Sequence, residues 1–265
     1  MENDNPILLQ TETINPYRHA VKKVLDRLKW DLTSQAWASR SRLKKLKNTH
    51  VGKKAVILCN GPSLLKTDFD SLKGTYTFGL NKINLLFDKN DFRPDAIVAV
   101  NPFVIEQNRD FFNETSLPIF LDSLSRSQVK SRDNVTFLHS DAQVKFARDV
   151  SMSIWQGATV TTVALQLAYH MGFKNVALVG CDHNFAQSGP ANKTVVSGDK
   201  DESHFDPNYF AGGVKWQLPD LIASEYAYNL ARETFAASGR NVYNCTEGGK
   251  LEVFERKSLK EFYEL

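Results

Sequence analysis

Ala55-Val56-Ile57-Leu58-Cys59-Asn60-Gly61-Pro62-Ser63-Leu64 is the stretch on which the fold turns. An unbroken apolar run stops at Asn-Gly-Pro-Ser, and Leu64, Leu65 and Lys66 then open a helical pattern. A short run that is apolar at every position, bounded by turn residues, fits a strand buried on both faces of a parallel sheet. The turn after such a strand lies at its carboxyl end, where open α/β sheets bind ligands. Gly61 lets the backbone bend or approach a ligand, and Pro62 pre-sets a first helical turn. Asn60 sets an amide beside backbone N–H groups that favour an anion. An ordinary strand-to-helix turn has the same composition, so both readings stand on these ten residues alone.

Outward from this stretch, strands alternate with helical segments. Thr75–Leu80 ends at Asn81, and Asp95–Val100 ends at Asn101-Pro102. Pro118–Leu121 and Val135–Leu138 are shorter strands; Gly157–Tyr169 reads as a buried helix opening with glycine and stopped by Gly172. Val176–Gly180 is a late strand ending in Cys181-Asp182-His183, and Asp220 caps a helix over Leu221–Ala237 before a last strand, Asn241–Asn244. This alternation predicts an α/β fold with a Rossmann-like, mostly parallel sheet and helices on both faces. Between Asn184 and Pro219 the pattern gives way to polar residues with scattered aromatics: Phe185, Phe205, Tyr209, Phe210 and Trp216. So long a segment inside a compact domain is disordered or functional, and the aromatics argue for a lid at about 184–219.

The 265 residues, 42% hydrophobic and 24% charged, suit one soluble globular domain with appendages. No apolar run approaches the roughly 18 residues of a membrane span. Met1–Gln10 is acidic and polar, unlike a secretory leader, and Cys59, Cys181 and Cys245 lack metal-ligand spacing. Buried free thiols and a cytosolic location are therefore expected, and the four Asn-x-Thr sequons carry no weight there. The net charge of +3 is unevenly spread: Pro16–Lys54 holds twelve Lys/Arg against Asp26 and Asp31, and residues 55–265 sum to −4. Tyr17, Val21, Val24, Leu25, Leu28 and Leu32 recur at helical spacing among bases, and Leu43 and Leu46 do so in a second basic stretch, Arg40–Lys47. Residues 1–52 thus form a basic helical arm before a catalytic domain over 53–265. Its helices either pack on the body with solvated lysines or meet an anionic membrane surface. Nucleic acid is not expected, since no binding motif accompanies the charge. A homo-oligomer fits the sequence as well as a monomer does.

Three strand ends carry asparagine: Asn60, Asn81 and Asn101. In a parallel sheet such ends converge on one crevice, where amides read a polar ligand, although each alone is also a common turn residue. His204, within the lid, is a candidate general base, with His183 as its rival. Asp182 either caps a turn or, with His183, binds a metal or substrate. No phosphate loop, three-glycine dinucleotide fingerprint, nucleophile elbow or Asp-x-Asp pair exists, and the acidic cluster Asp199-Lys200-Asp201-Glu202 reads equally as solvated.

Val56–Leu64 resembles the N-terminal motif of the bacterial sialyltransferases of glycosyltransferase family 42. The resemblance continues through Gly79-Leu80-Asn81, Val100-Asn101-Pro102, Gly157, Val179-Gly180-Cys181-Asp182 and Ser203-His204-Phe205. It implies a Rossmann-like fold of the GT-A-variant type and inverting transfer from a CMP-activated sialic acid or related keto-acid sugar to a glycan acceptor. No metal or further cofactor is implied. His204 would be the base, while Asn60, Gly61, Pro62, Ser63, Asn81, Asn101, Gln156, Gly157 and Asp182 would form the donor site. Two departures stand out. Ser153-Ile154-Trp155-Gln156-Gly157 lacks the family's arginine, and His183-Asn184 replaces its phosphate-supporting tyrosine, for which Tyr209, Lys193 or Lys215 could substitute. The Gly-Pro-Ser-Leu and Gly-x-Asp landmarks also resemble a sister family that includes archaeal-type hydroxymethyl-dihydropterin diphosphokinases and flagellin-glycosylating proteins. A diphosphokinase would need ATP and magnesium, with Asp182 and lid acids as ligands. A nucleotide-sugar-binding relative without catalysis is the third reading.

Overall fold

The structure, a computed structural model, describes residues 15–186 and 189–265. The acidic segment Met1–Gln10 lies outside the described residues. Two helices come first, α1 (Pro16–Asp31) and α2 (Ser34–Leu46). The sheet then begins with β1 (Lys54–Leu58), β2 (Tyr76–Leu80) and β3 (Ala96–Ala99). Short helices α3 (Pro102–Gln107) and α4 (Arg109–Glu114) lead to β4 (Ile119–Asp122) and β5 (Val135–Leu138). Helix α5 (Val160–Met171) precedes β6 (Asn175–Val179), and the lid segment contains β7 (Thr194–Val196) and β8 (Lys215–Gln217). The chain closes with α6 (Leu221–Ala236), β9 (Asn241–Asn244), β10 (Glu255–Arg256) and α7 (Leu259–Glu264).

Eight strands form one parallel sheet in the order β10-β9-β6-β1-β2-β3-β4-β5. The chain runs outward from β1 to β5, then α5 carries it back to β6 on the other side of β1. The carboxyl ends of β1 and β6 therefore flank a topological switch point, where open α/β sheets bind ligands. The apolar run at 55–59 follows from this central position. Ala55, Ile57 and Cys59 face a core shared with α5 and α6, while Val56 and Leu58 face a second core that takes in the lid aromatics and α7. Both faces are dry, so no position in the run is polar. Helix α5 ends as expected at Gly172, whose φ of 94° is left-handed.

Three expectations change. The helix expected from Leu64 is a single 3₁₀ turn, Pro62–Lys66, because Thr67 is already extended. Gly157 does not open α5; Thr159 does, its hydroxyl accepting from Thr161 N–H. The two basic helices differ in kind. α2 covers the β5 edge: Arg42 Nη1 donates to Val135 O (2.7 Å) and Phe137 N–H donates to Ser39 Oγ (3.0 Å). Leu43 and Ala36 are buried in the two cores. An edge strand presents unpaired backbone groups, and α2 satisfies two of them. α1 buries only Trp30, which stacks on His139. The lid is docked, with Phe205, Tyr209, Phe210 and Trp216 buried in the core. No described helix is long and apolar enough to cross a membrane.

Candidate functional site

A cavity of about 160 Å³ opens where β1, β2 and β6 end, roofed by the lid and walled by α5 and α6. Asn60, Gly61, Asn81, Asp182, His183 and His204 all line it. A larger groove of about 840 Å³ lies beside β9 and β10, and two of its four cations are already engaged. Arg256 donates to the carbonyls of Thr246 and Leu251, and Lys257 pairs with Glu255. Among the described residues, the smaller cavity holds two buried side-chain oxygens without a partner, against one, the Tyr263 hydroxyl, in the groove. The side-chain oxygens of Asn60 and Asn81 are buried and accept no hydrogen bond within the described protein. Such orphans cost free energy unless a ligand or water fills them. Asn81, Ala158 and His183 around the cavity also hold positive φ (50°, 59° and 51°), the kind of local strain that collects at functional sites.

His204 is fixed on three sides. Its Nδ1 lies 2.8 Å from Asp201 Oδ2, its ring stacks flat on Tyr209 with centroids 4.0 Å apart, and Phe210 meets it edge-on. A carboxylate only accepts, so Nδ1 carries the proton and Nε2 remains as the basic nitrogen. Burial alone would raise the Asp201 carboxyl; the hydrogen bond and charge of His204, with the N–H groups of Ser203 and Phe210, outweigh it and hold the carboxyl below its ordinary value. The lid is clamped over the site by Phe205 N–H to Asn60 O (2.9 Å) and by Lys82 Nζ to Tyr209 O (2.6 Å).

Asp182 accepts from Ser63 at both N–H (3.2 Å) and Oγ (2.7 Å), so Ser63 supports the site through Asp182. The close approach makes Gly61 obligatory, since a Cβ there would sit 1.9 Å from Asp182 Oδ2. Pro62 starts the 3₁₀ turn that brings Ser63 round. Ala158, Thr159, Val160 and Thr161, at the N-terminus of α5, line the opposite wall and favour an anion there.

Five expected residues do not line the cavity: Pro62 and Ser63 support it from the turn, and Asn101, Gln156 and Gly157 are held elsewhere. Asn101 caps α3, accepting from Phe103 and Val104 N–H, and its amide donates to Gln217 of the lid. Gln156 donates to Asp122 and Ser140 at the ends of β4 and β5, and Gly157 packs against Ala227 and Thr162. Of the residues proposed to replace the missing tyrosine, Tyr209 is buried beneath His204, and Lys193 and Lys215 are exposed outside the cavity. Tyr228 of α6 lines it instead, its hydroxyl 3.5 Å from Thr159 Oγ1 and 3.9 Å from Cys181 Sγ, both long contacts. Burial, with the neighbouring thiols, raises its pKa and keeps it a proton donor. The sequence names Asp201 only within an acidic cluster, not as the partner of His204, and does not single out Tyr228.

The family model described as MptE-like, 6-hydroxymethylpterin diphosphokinase MptE-like, matches residues 33–188, more than half of the chain. The chain belongs to this MptE-like family. The match begins at the N-cap of α2, leaving α1 outside, and stops short of Asp201 and His204. Among solved structures the fold is similar to the MAf glycosyltransferase from Magnetospirillum magneticum AMB-1, with TM-score 0.51 and 17% identity over 85% of this chain. This chain spans 38% of that protein's length. A comparison with curated proteins gives no match.

Proposed function

We propose that the chain is an inverting glycosyltransferase that takes a CMP-activated sialic acid or related keto-acid sugar, acting in bacterial surface glycan synthesis at the cytoplasmic side of the membrane. The observation that carries this reading is His204, which lines a cavity at the switch point with its Nδ1 held by Asp201. A histidine whose Nδ1–H is held by a carboxylate has the tautomer a general base needs. His204 Nε2 takes the acceptor hydroxyl proton as that oxygen bonds the anomeric carbon. The bond from that carbon to the phosphate oxygen breaks, and its electron pair leaves on CMP. The α5 N-terminus and the Tyr228 hydroxyl are positioned for the departing phosphate, and the orphan amide oxygens of Asn60 and Asn81 for donor N–H or O–H groups. The likeness to a glycosyltransferase fold agrees with this chemistry.

A pocket that encloses a nucleotide-sized ligand measures roughly 300 Å³ or more, so the 160 Å³ cavity admits the donor only with the lid displaced. A lid that closes on the bound donor excludes the water that would hydrolyse it.

The family's description supports a second reading, a pterin diphosphokinase using ATP and magnesium. The residues fit it poorly: Ser63 engages Asp182, His204 engages Asp201, and no three His, Cys, Asp or Glu side chains among the described residues cluster to hold a metal. A ligand that binds only the native state raises its melting temperature, so a thermal-shift panel separates the readings. Stabilisation by CMP without metal is expected. Stabilisation by ATP with magnesium but not by CMP would overturn the transferase, and CMP binding without turnover would identify a catalytically silent relative.

A further inference from the structure

On α1 the apolar stripe faces away from the protein. Tyr17, Val21, Val24, Leu25, Leu28 and Leu32 are between 45% and 81% exposed, with Trp37 of α2 equally bare at 66%. The opposite face holds the body: Arg27 Nη1 donates to Met152 O, Lys23 approaches Asp141, and Trp30 stacks on His139. At 100° per residue, Arg18, Lys22 and Lys29 fall along one border of the stripe. Within the described residues Arg18 and Lys22 form no ion pair, and Lys29 has only its neighbour Asp26. Single exposed apolar residues need no explanation, but a continuous stripe of six bordered by bases does.

We propose that α1 lies in the surface of a bilayer containing anionic lipid, with its apolar stripe among the acyl chains and Arg18, Lys22 and Lys29 at the headgroups. A helix with one apolar face and a basic border is the form that interfacial helices take. The charge selects this occupant over a second copy, whose equally basic border would be repelled. α1 meets the body at His139, Asp141 and Met152. The first two follow β5 at the carboxyl end of the sheet, the end on which the cavity opens. From β5 to β2 is three strand spacings, roughly 15 Å, so the docked helix sets the cavity near the lipid surface.

The full chain is tested by flotation with vesicles of phosphatidylcholine alone and of phosphatidylcholine with phosphatidylglycerol. Binding to the anionic vesicles only, weakening with salt, is expected. Arg18→Gln with Lys22→Gln should lower partitioning roughly thirtyfold, and Val24→Glu with Leu28→Glu should abolish it, both with unchanged melting temperature because these side chains are exposed. Failure to float with anionic vesicles overturns the proposal, as does a concentration-dependent dimer that Val24→Glu/Leu28→Glu dissolves without any vesicle binding. CMP stabilisation, measured separately, is independent of either result.

Discussion

Asp201 Oδ2 accepts from His204 Nδ1 at 2.8 Å, and the two residues stand three apart in one loop that roofs the cavity. The pair is local in sequence, while the stacking surface beneath it, Tyr209, is buried in the domain core. The lid thus brings its own dyad, and the core fixes the ring.

The dyad makes a quantitative expectation. His204→Ala removes the base and should lower acceptor-dependent CMP release by about 10²–10⁴-fold while CMP affinity stays near its original value. Asp201→Asn keeps a hydrogen-bonding group but no longer selects the Nδ1–H tautomer, so turnover should fall roughly 10²-fold or more. Steady-state rates beside calorimetric CMP titration separate the two effects. Undiminished turnover in His204→Ala removes it from the mechanism.

How much of this was legible in the sequence depended on how local each signal was. The 55–64 run gave the central strand because two dry faces leave no polar position, and Asn60 and His204 stood out as polar groups at strand and lid positions. Asn101 read the same way, yet an N-cap and a ligand-binding amide share one local pattern; only the later course of α3 separates them. Asp201 was hidden in an acidic run that looks solvated, and Tyr228 on a helix face of Ser224, Ala227 and Ala231 that looks like core. The partnership of Ser39 and Arg42 with β5 spans more than ninety residues and follows from strand order alone.

That partnership separates the two basic helices experimentally. Leu43 is 2% exposed, and Leu43→Ala should cost about 2–5 kcal/mol in chemical denaturation. Val24→Ala on α1 should stay within about 0.5 kcal/mol, as exposed positions do. Equal effects from the two would mean that α1 is as integral to the body as α2.

The orphan oxygen of Asn60 sets function against stability. An unpartnered buried acceptor costs about 1–3 kcal/mol, so Asn60→Leu should leave the melting temperature unchanged or higher. The same substitution should erase the CMP-induced shift. A large loss of stability would show that the amide is a structural element instead.

Lys82 gives the lid a pH signature. Its ammonium sits among Gln107 Oε1, the Tyr209 carbonyl and the rings of Tyr209 and Phe210, and burial lowers its pKa to about 8, with Asp201 opposing the shift. Between about 8 and the ordinary 10.5 the unfolded chain therefore holds a proton that the folded chain has released. Stability from this group rises with pH across that window and is flat below it. Other groups titrate there too, including Cys245, which burial pushes up to about 12 and which contributes in the opposite sense. The difference between wild type and Lys82→Met isolates the lysine. Unfolding free energies from denaturant titrations at pH 7.5, 8.5 and 9.5, values chosen at roughly unit spacing around the shifted pKa, should show wild type gaining on the variant at each step. A constant difference would mean that Lys82 keeps its proton and is solvated, with the lid held by its aromatic packing alone.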